Sequence, residues 1–243
     1  MGVSAVDIKG FVETSFTDWP GKVAAVVFLP RCNYRCPYCH NHALVTDPER
    51  YQSWPLSLIL GRLERLRGWA DGVCVSGGEP TVSAGLGTLL RTLRGEGWQV
   101  KLDTNGSRPD VLREFLSADL LQAVSLDIKA PLEPIPYRRN GGAGADPEPV
   151  RQTLQLLAEA GLPVETRTTV HPSLLSLEEC IRLRRQTAQL LGREKVRHTW
   201  QRCRVDDPLE PALRESVPLT PADFESWKAG IEGAALTEGA SSQ

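Results

Sequence analysis

The feature that most constrains this chain is a strand signature that runs into a cluster of thiols. Lys22-Val23-Ala24-Ala25-Val26-Val27-Phe28-Leu29 is a continuous, largely apolar and β-branched run. That pattern predicts a strand covered on both faces, as in a parallel sheet. Shortly after it comes Cys32-Asn33-Tyr34-Arg35-Cys36-Pro37-Tyr38-Cys39, with thiols at spacing C-x₃-C-x₂-C and an aromatic residue just before the third. In α/β folds ligands sit at the carboxyl ends of strands, and this loop starts at one. Thiolates are soft ligands that favour iron–sulfur clusters, zinc or Cu(I). Three thiolates on a cubane-type cluster leave one iron open, whereas a purely structural cluster or zinc usually takes four protein ligands. A zinc knuckle completed by His40 or His42 would use the same thiols, so both sites remain open at this point.

The remainder of the chain alternates between two periods. Strands are expected at 72–76, 98–102, 123–128, 163–170 and 196–201. Helices are expected between them, at 56–67, 86–93, 109–116, 147–160 and 176–190. Ser176 with Glu179 three residues on forms a capping-box signal, and Pro109 suits a first helical turn. Alternating strands and helices imply a parallel sheet with right-handed crossovers. Six such units predict an α/β fold of the open partial (β/α)₆ barrel kind. We expect one domain over residues 1–231 and a disordered tail over 232–243, where Ala234 to Gln243 is small and polar. Asn140 to Ala145 reads as a glycine-rich loop and not a phosphate loop, because it follows no strand and lacks the Lys-Ser/Thr ending.

At 243 residues and net charge −2, the chain can bury roughly 70% of its unfolded surface without disulfide staples. Its near-neutral charge gives no support for nucleic-acid binding, and no apolar run approaches a membrane span. The beginning of the sequence lacks the pattern of a signal peptide. The three cysteines outside the loop, Cys74, Cys180 and Cys203, form no disulfide framework and read as small buried hydrophobes. Together these features point to a reducing, cytoplasmic setting.

Other motifs fall where strands end. Ser76-Gly77-Gly78-Glu79-Pro80 offers backbone that can approach a ligand closely, and a carboxylate for an ammonium. Leu102-Asp103-Thr104-Asn105-Gly106 and Leu126-Asp127-Ile128-Lys129 place acidic residues at two further strand ends, where turn and cap chemistry also favours them. Arg167 and His171 close the next strand, and His198 lies in the last.

In this order the motifs resemble the radical S-adenosylmethionine (SAM) superfamily. With Thr17-Asp18-Trp19-Pro20-Gly21-Lys22 they are similar to the branch that activates anaerobic ribonucleoside-triphosphate reductase, a glycyl-radical enzyme. The resemblance covers roughly Lys9 to Gln201, while Cys203-Arg204-Val205-Asp206 fits the branch poorly. It implies a 4Fe–4S cluster on Cys32, Cys36 and Cys39, with Tyr38 beside it. SAM is implied to meet Gly77, Gly78, Glu79 and Pro80, with Glu79 taking the methionine amino group. Asp103 and Thr104 with Asp127 are implied to hold a monovalent cation beside the SAM carboxylate, with Asn105 among the cofactor-binding residues, Lys129 reaching SAM and Arg167 facing the site. His40 and Asn41 then shape the loop and are not ligands.

The implied reaction is reductive cleavage of SAM by an electron from a low-potential donor such as flavodoxin or ferredoxin. The adenosyl radical then takes a hydrogen atom from a glycine of the partner enzyme. No nucleic acid or membrane is expected to take part. One enzyme alternative is a small-molecule radical SAM enzyme such as a 7-carboxy-7-deazaguanine synthase. In that group Cys-Asp and Glu-Thr-Asn-Gly usually stand where this chain has Cys39-His40 and Asp103-Thr104-Asn105-Gly106. The second alternative is a non-catalytic zinc-binding module.

Overall fold

A computed structural model of the protein describes residues 6–192 and 197–237. Among the described residues seven strands occur, β1 (Gly10–Ser15), β2 (Ala24–Leu29), β3 (Gly72–Gly77), β4 (Gln99–Thr104), β5 (Ala123–Asp127), β6 (Val164–Val170) and β7 (Arg197–Arg202), in the sheet order β1-β2-β3-β4-β5-β6-β7. Helices α1 (His42–Thr46), α2 (Leu56–Glu64), α3 (Leu86–Gly95), α4 (Pro109–Ser117), α5 (Pro134–Gly141), α6 (Pro147–Glu159), α7 (Leu177–Leu191) and α8 (Pro221–Thr237) complete it. The α/β class and the unclosed sheet match the fold expected of an open partial barrel. Among the described residues no helix is long and apolar enough to cross a membrane.

The chain divides into two compact units. The first comprises Met1–Asn33, Asn41–Thr104 and Arg108–Ser125; the second comprises Tyr34–His40, Asn105–Ser107 and Leu126–Gln243. In the first unit β2 is buried along nearly its whole length, as its apolar run predicts. It pairs in parallel with β3, with Leu29 opposite Gly77, and β3 pairs in parallel with β4. Their carboxyl ends therefore lie level, and the segments that leave them start from one edge. Leucines on α3 at 86, 89, 90 and 93 bury one face at helical spacing. In the second unit β6 and β7 pair in parallel. The predicted capping box is present: Glu179 N–H donates to Ser176 Oγ, and Ser176 N–H donates to Glu179 Oε2.

Several elements depart from the sequence reading, among them α1, a five-residue helix just after the thiol loop that no expected helix covered. β1 is an additional strand, antiparallel to β2, on the edge of the sheet. Its short, mostly half-exposed run carries too weak a pattern to be read alone. α5 covers Asn140 and Gly141, which were expected to be loop; buried Tyr137 and Asn140 hold it against its two prolines and its glycine. Asn140 Nδ2 donates to Pro136 O at 3.0 Å and to Leu174 O at 3.1 Å. α8 runs into the expected tail, so residues 232–237 are helical, which suits their alanines. Residues 238–243, and Val196 of the last expected strand, lie outside the described residues.

Candidate functional site

In the first unit the end of β3 packs backbone against backbone. Gly78 N–H donates to Leu29 O at 2.9 Å and Glu79 N–H to Arg31 O at 2.8 Å. Asn41 Nδ2 donates to Gly77 O at 2.9 Å, which fits its expected loop-shaping role. A Cβ on Gly77 (φ +126°) would lie 2.2 Å from Leu29 O, and one on Gly78 1.9 Å from Arg31 O. Only glycine satisfies both positions. Arg31, just before Cys32, sits in the left-handed region at φ 67°, a conformation that needs its surroundings to hold it.

Glu79 is buried and caps the short 3₁₀ turn Pro80–Val82. Its Oε1 accepts from Thr81 N–H at 3.1 Å, from Thr81 Oγ1 at 2.5 Å and from Thr104 Oγ1 at 2.7 Å. Thr104, assigned by resemblance to a cation, thus orients the Glu79 carboxylate. Asp103 is also buried: it forms an ion pair with Lys101 and accepts from Ser76 Oγ at 3.2 Å. Lys101 has no special place in the sequence reading, and only the strand pairing reveals its partner.

In the second unit Asp127 lies between two cations. Arg167 Nε donates to its Oδ1 at 2.8 Å and Lys129 Nζ to its Oδ2 at 3.3 Å. Burial alone would raise the Asp127 pKa, but the Arg167 and Lys129 charges outweigh it and hold the group well below the carboxylate range. Burial likewise opposes the Lys129 charge, and the Asp127 carboxylate more than reverses this, so Lys129 stays protonated. Lys129 Nζ stands 6.0 Å from the centre of the buried Tyr38 ring. Two cations thus flank this one carboxylate. Asn105 Oδ1 accepts from Ser107 N–H at 2.9 Å, an Asx turn of the kind its position favours.

The six cysteines form no disulfide with one another. Cys36 is buried, while Cys32 and Cys39 are half-buried. Burial pushes the Cys36 thiol up, partly offset by Lys129. Cys39 N–H donates to Cys36 O at 3.0 Å, so the loop turns between these two residues. Three reduced thiols are the right donor chemistry for an iron–sulfur cluster. Among the described residues no three His, Cys, Asp or Glu side chains stand together as a finished metal cage.

The remaining candidates take structural roles. His171 is buried, with Nδ1 2.7 Å from Ser173 Oγ and Nε2 3.0 Å from Ser216 Oγ, so it clasps two loops. Burial lowers its pKa. His198 is held near a pKa of about 3 by burial and the Arg184 charge, and its Nδ1 meets Thr166 Oγ1 at 2.8 Å. Cys180 and Cys203 are buried, and burial pushes their thiols up to about 12 and about 11. Cys74 is buried as expected and also lies 3.7 Å from Lys101 Nζ.

Comparison with known proteins bears on this arrangement. The model of the Radical SAM superfamily matches residues 26–183. A Methanocaldococcus jannaschii protein named as a glycyl-radical enzyme activating enzyme is 31% identical over 177 residues, 71% of each chain. A 7-carboxy-7-deazaguanine synthase of Neisseria meningitidis is 39% identical over 89 residues, 37% of this chain and 39% of that protein. The fold is similar to that of Streptococcus suis SuiB, solved bound to S-adenosylmethionine. The TM-score is 0.63 at 14% identity, over 88% of this chain and 49% of SuiB. The chain belongs to the radical SAM superfamily.

Proposed function

We propose that this radical SAM enzyme is an activase that places a glycyl radical on a partner polypeptide, an anaerobic ribonucleoside-triphosphate reductase. The observation that carries the proposal is similarity to an activating enzyme over 71% of both chains, against 37% and 39% coverage for the deazaguanine synthase match. The side chains suit the zwitterionic end of SAM. Glu79, oriented by Thr81 and Thr104, takes the ammonium. Lys129 and Arg167, held about Asp127, take the carboxylate. Gly77 and Gly78 let the turn that carries Glu79 pack backbone against backbone on Leu29 and Arg31, and Pro80 opens its 3₁₀ segment. Cys32, Cys36 and Cys39 hold the 4Fe–4S cluster, with Tyr38 packed beside its ligands. When bound, that cluster with SAM supplies one-electron cleavage of the sulfonium and hydrogen-atom abstraction. A low-potential donor such as flavodoxin or ferredoxin provides the electron, in a reducing compartment such as the cytoplasm. The basic pair Arg138-Arg139 contributes less to partner docking than its charge suggests. Arg139 is committed to Glu179, at 2.5 and 2.6 Å, and to Leu174 O.

The test is to mix reduced protein, SAM and the reductase without air. A glycyl-radical doublet on the reductase, with matching 5′-deoxyadenosine, is expected. Cys36→Ala should abolish iron loading and SAM cleavage, whereas Cys180→Ala should keep both. A specific observation keeps a second reading: the deazaguanine synthase match has higher local identity. SAM cleavage with no protein radical, but with turnover of a small molecule, would establish that reading instead. A colourless, zinc-loaded protein would remove both.

A further inference from the structure

Each carboxylate that the resemblance assigns to a monovalent cation already faces a cation of the chain itself. In the first unit Asp103 Oδ1 is ion-paired with Lys101 Nζ, and the two side chains are only 8% and 2% exposed. Lys101 lies two residues earlier on β4, so strand alternation puts both on one face. β3 flanks the pair within the sheet. Cys74 is the register partner of Lys101, with its Sγ 3.7 Å from Nζ, and Ser76 Oγ donates to Asp103 Oδ2 at 3.2 Å. Both carboxylate oxygens therefore accept from the chain's own donors in a dry setting. A buried ammonium without its anion is strongly disfavoured, so Lys101 does not readily yield its place to an ion from solution. In the second unit, independently, Arg167 and Lys129 occupy the two oxygens of Asp127.

We propose that Lys101 is the built-in counter-ion of this site. Its ammonium carries the charge that a potassium or sodium ion would otherwise bring to Asp103, so SAM binding does not respond to monovalent cations. Lys101 is then a positioning residue, which fixes Asp103 without touching SAM. The SAM half of this proposal rests on the functional reading above; the counter-ion half does not.

The experiment has two arms in potassium, sodium and choline chloride at one ionic strength. The first is thermal unfolding of the full cluster-free chain under reductant. Wild-type Tm is expected to agree within about 1 °C across the salts, because an ion that does not bind cannot stabilise. Lys101→Met is expected to lower Tm by about 10 °C in choline, the consequence of leaving one buried charge alone. Potassium should restore part of that loss by entering the emptied position. Lys101→Met with Asp103→Leu should recover stability and ignore the salt, since replacing both partners of a buried pair is close to neutral.

The second arm is SAM affinity of the anaerobically reconstituted protein. Wild type should hold its Kd within about twofold across the salts, and Lys101→Met should bind about tenfold more tightly in potassium than in choline. A wild-type Tm that rises several degrees, or wild-type SAM affinity that rises tenfold, when potassium replaces choline overturns the proposal. So does a folded Lys101→Met that responds to no salt in either arm. If Lys101→Met does not fold, the wild-type measurements still decide. No SAM binding in any salt, with a salt-blind wild-type Tm, overturns the functional reading and leaves the counter-ion supported.

Discussion

Lys101-x-Asp103 and Asp127-x-Lys129 are the same two residue types at the same spacing, each at the carboxyl end of a strand, yet they do different things. Lys101 and Asp103 lie within β4, 2% and 8% exposed, and form an ion pair. Asp127 is the last residue of β5 and Lys129 lies beyond it, 34% and 13% exposed, with Arg167 as a second cation. The first pair is dry, so its energy belongs to the fold. The second is partly open to solvent and sets two cations beside one carboxylate, a setting that suits an anionic ligand. Depth along the strand, and not motif, separates a structural ion pair from a binding one.

That contrast can be broken most directly by neutralising the two lysines in turn. Lys101→Met is expected to cost about 10 °C in Tm. Lys129→Met should cost no more than about 2 °C, because its pair is partly solvated. Calorimetry of both variants in one buffer decides it, and equal losses would erase the distinction. In potassium buffer, where the ion replaces the lost ammonium of Lys101→Met, ligand affinity should reverse the order. Lys129→Met, or Asp127→Ala through loss of the groups it aligns, should weaken SAM binding about tenfold, or roughly 1.4 kcal/mol. Iron content should stay near wild type in both, and a titration of SAM into the reconstituted variants measures this.

Acid separates the pairs more finely. The Asp127 pKa is depressed in the folded chain by Arg167 and Lys129, against the opposing effect of burial. Its stabilisation is therefore present above the unfolded value of about 4 and is lost as pH falls toward the folded value. Wild-type stability should thus fall progressively below about pH 4, and Asp127→Asn should flatten that part of the slope. A slope unchanged by the substitution would mean that the cluster does not couple to folding. The smallest effect concerns Thr104. Thr104→Val should weaken SAM binding about threefold to tenfold by losing one hydrogen bond to Glu79, and Thr104→Ser should restore it.

The outline of the molecule was legible because buried parallel strands and amphipathic helices write their periods plainly. β2 and α7 lie within a few residues of their expected bounds. The thiol spacing and the Gly77-Gly78-Glu79-Pro80 turn were legible because chemistry fixes those residue types. β1 and α5 were not, since one is a short edge strand and the other is held by buried Tyr137 and Asn140 against its own breakers. Lys101 was invisible for a different reason. A lysine inside a strand pattern reads as a solvent-facing polar residue, and only its neighbours on β3 and β4 turn it into a buried charge.

The two glycines at the end of β3 leave almost no mutational freedom. Every change in the first or second base of a glycine codon introduces a side chain or ends translation. At position 77 that side chain would start inside the Leu29 carbonyl, and at position 78 inside that of Arg31. Neither obstacle is a rotamer that could swing aside, since both are backbone atoms at the end of β2 and just beyond it. In a saturation library these two codons should tolerate only synonymous change. Any lineage that lost either glycine would need a second change that moved the chain between Leu29 and Arg31, and with it the approach to Cys32.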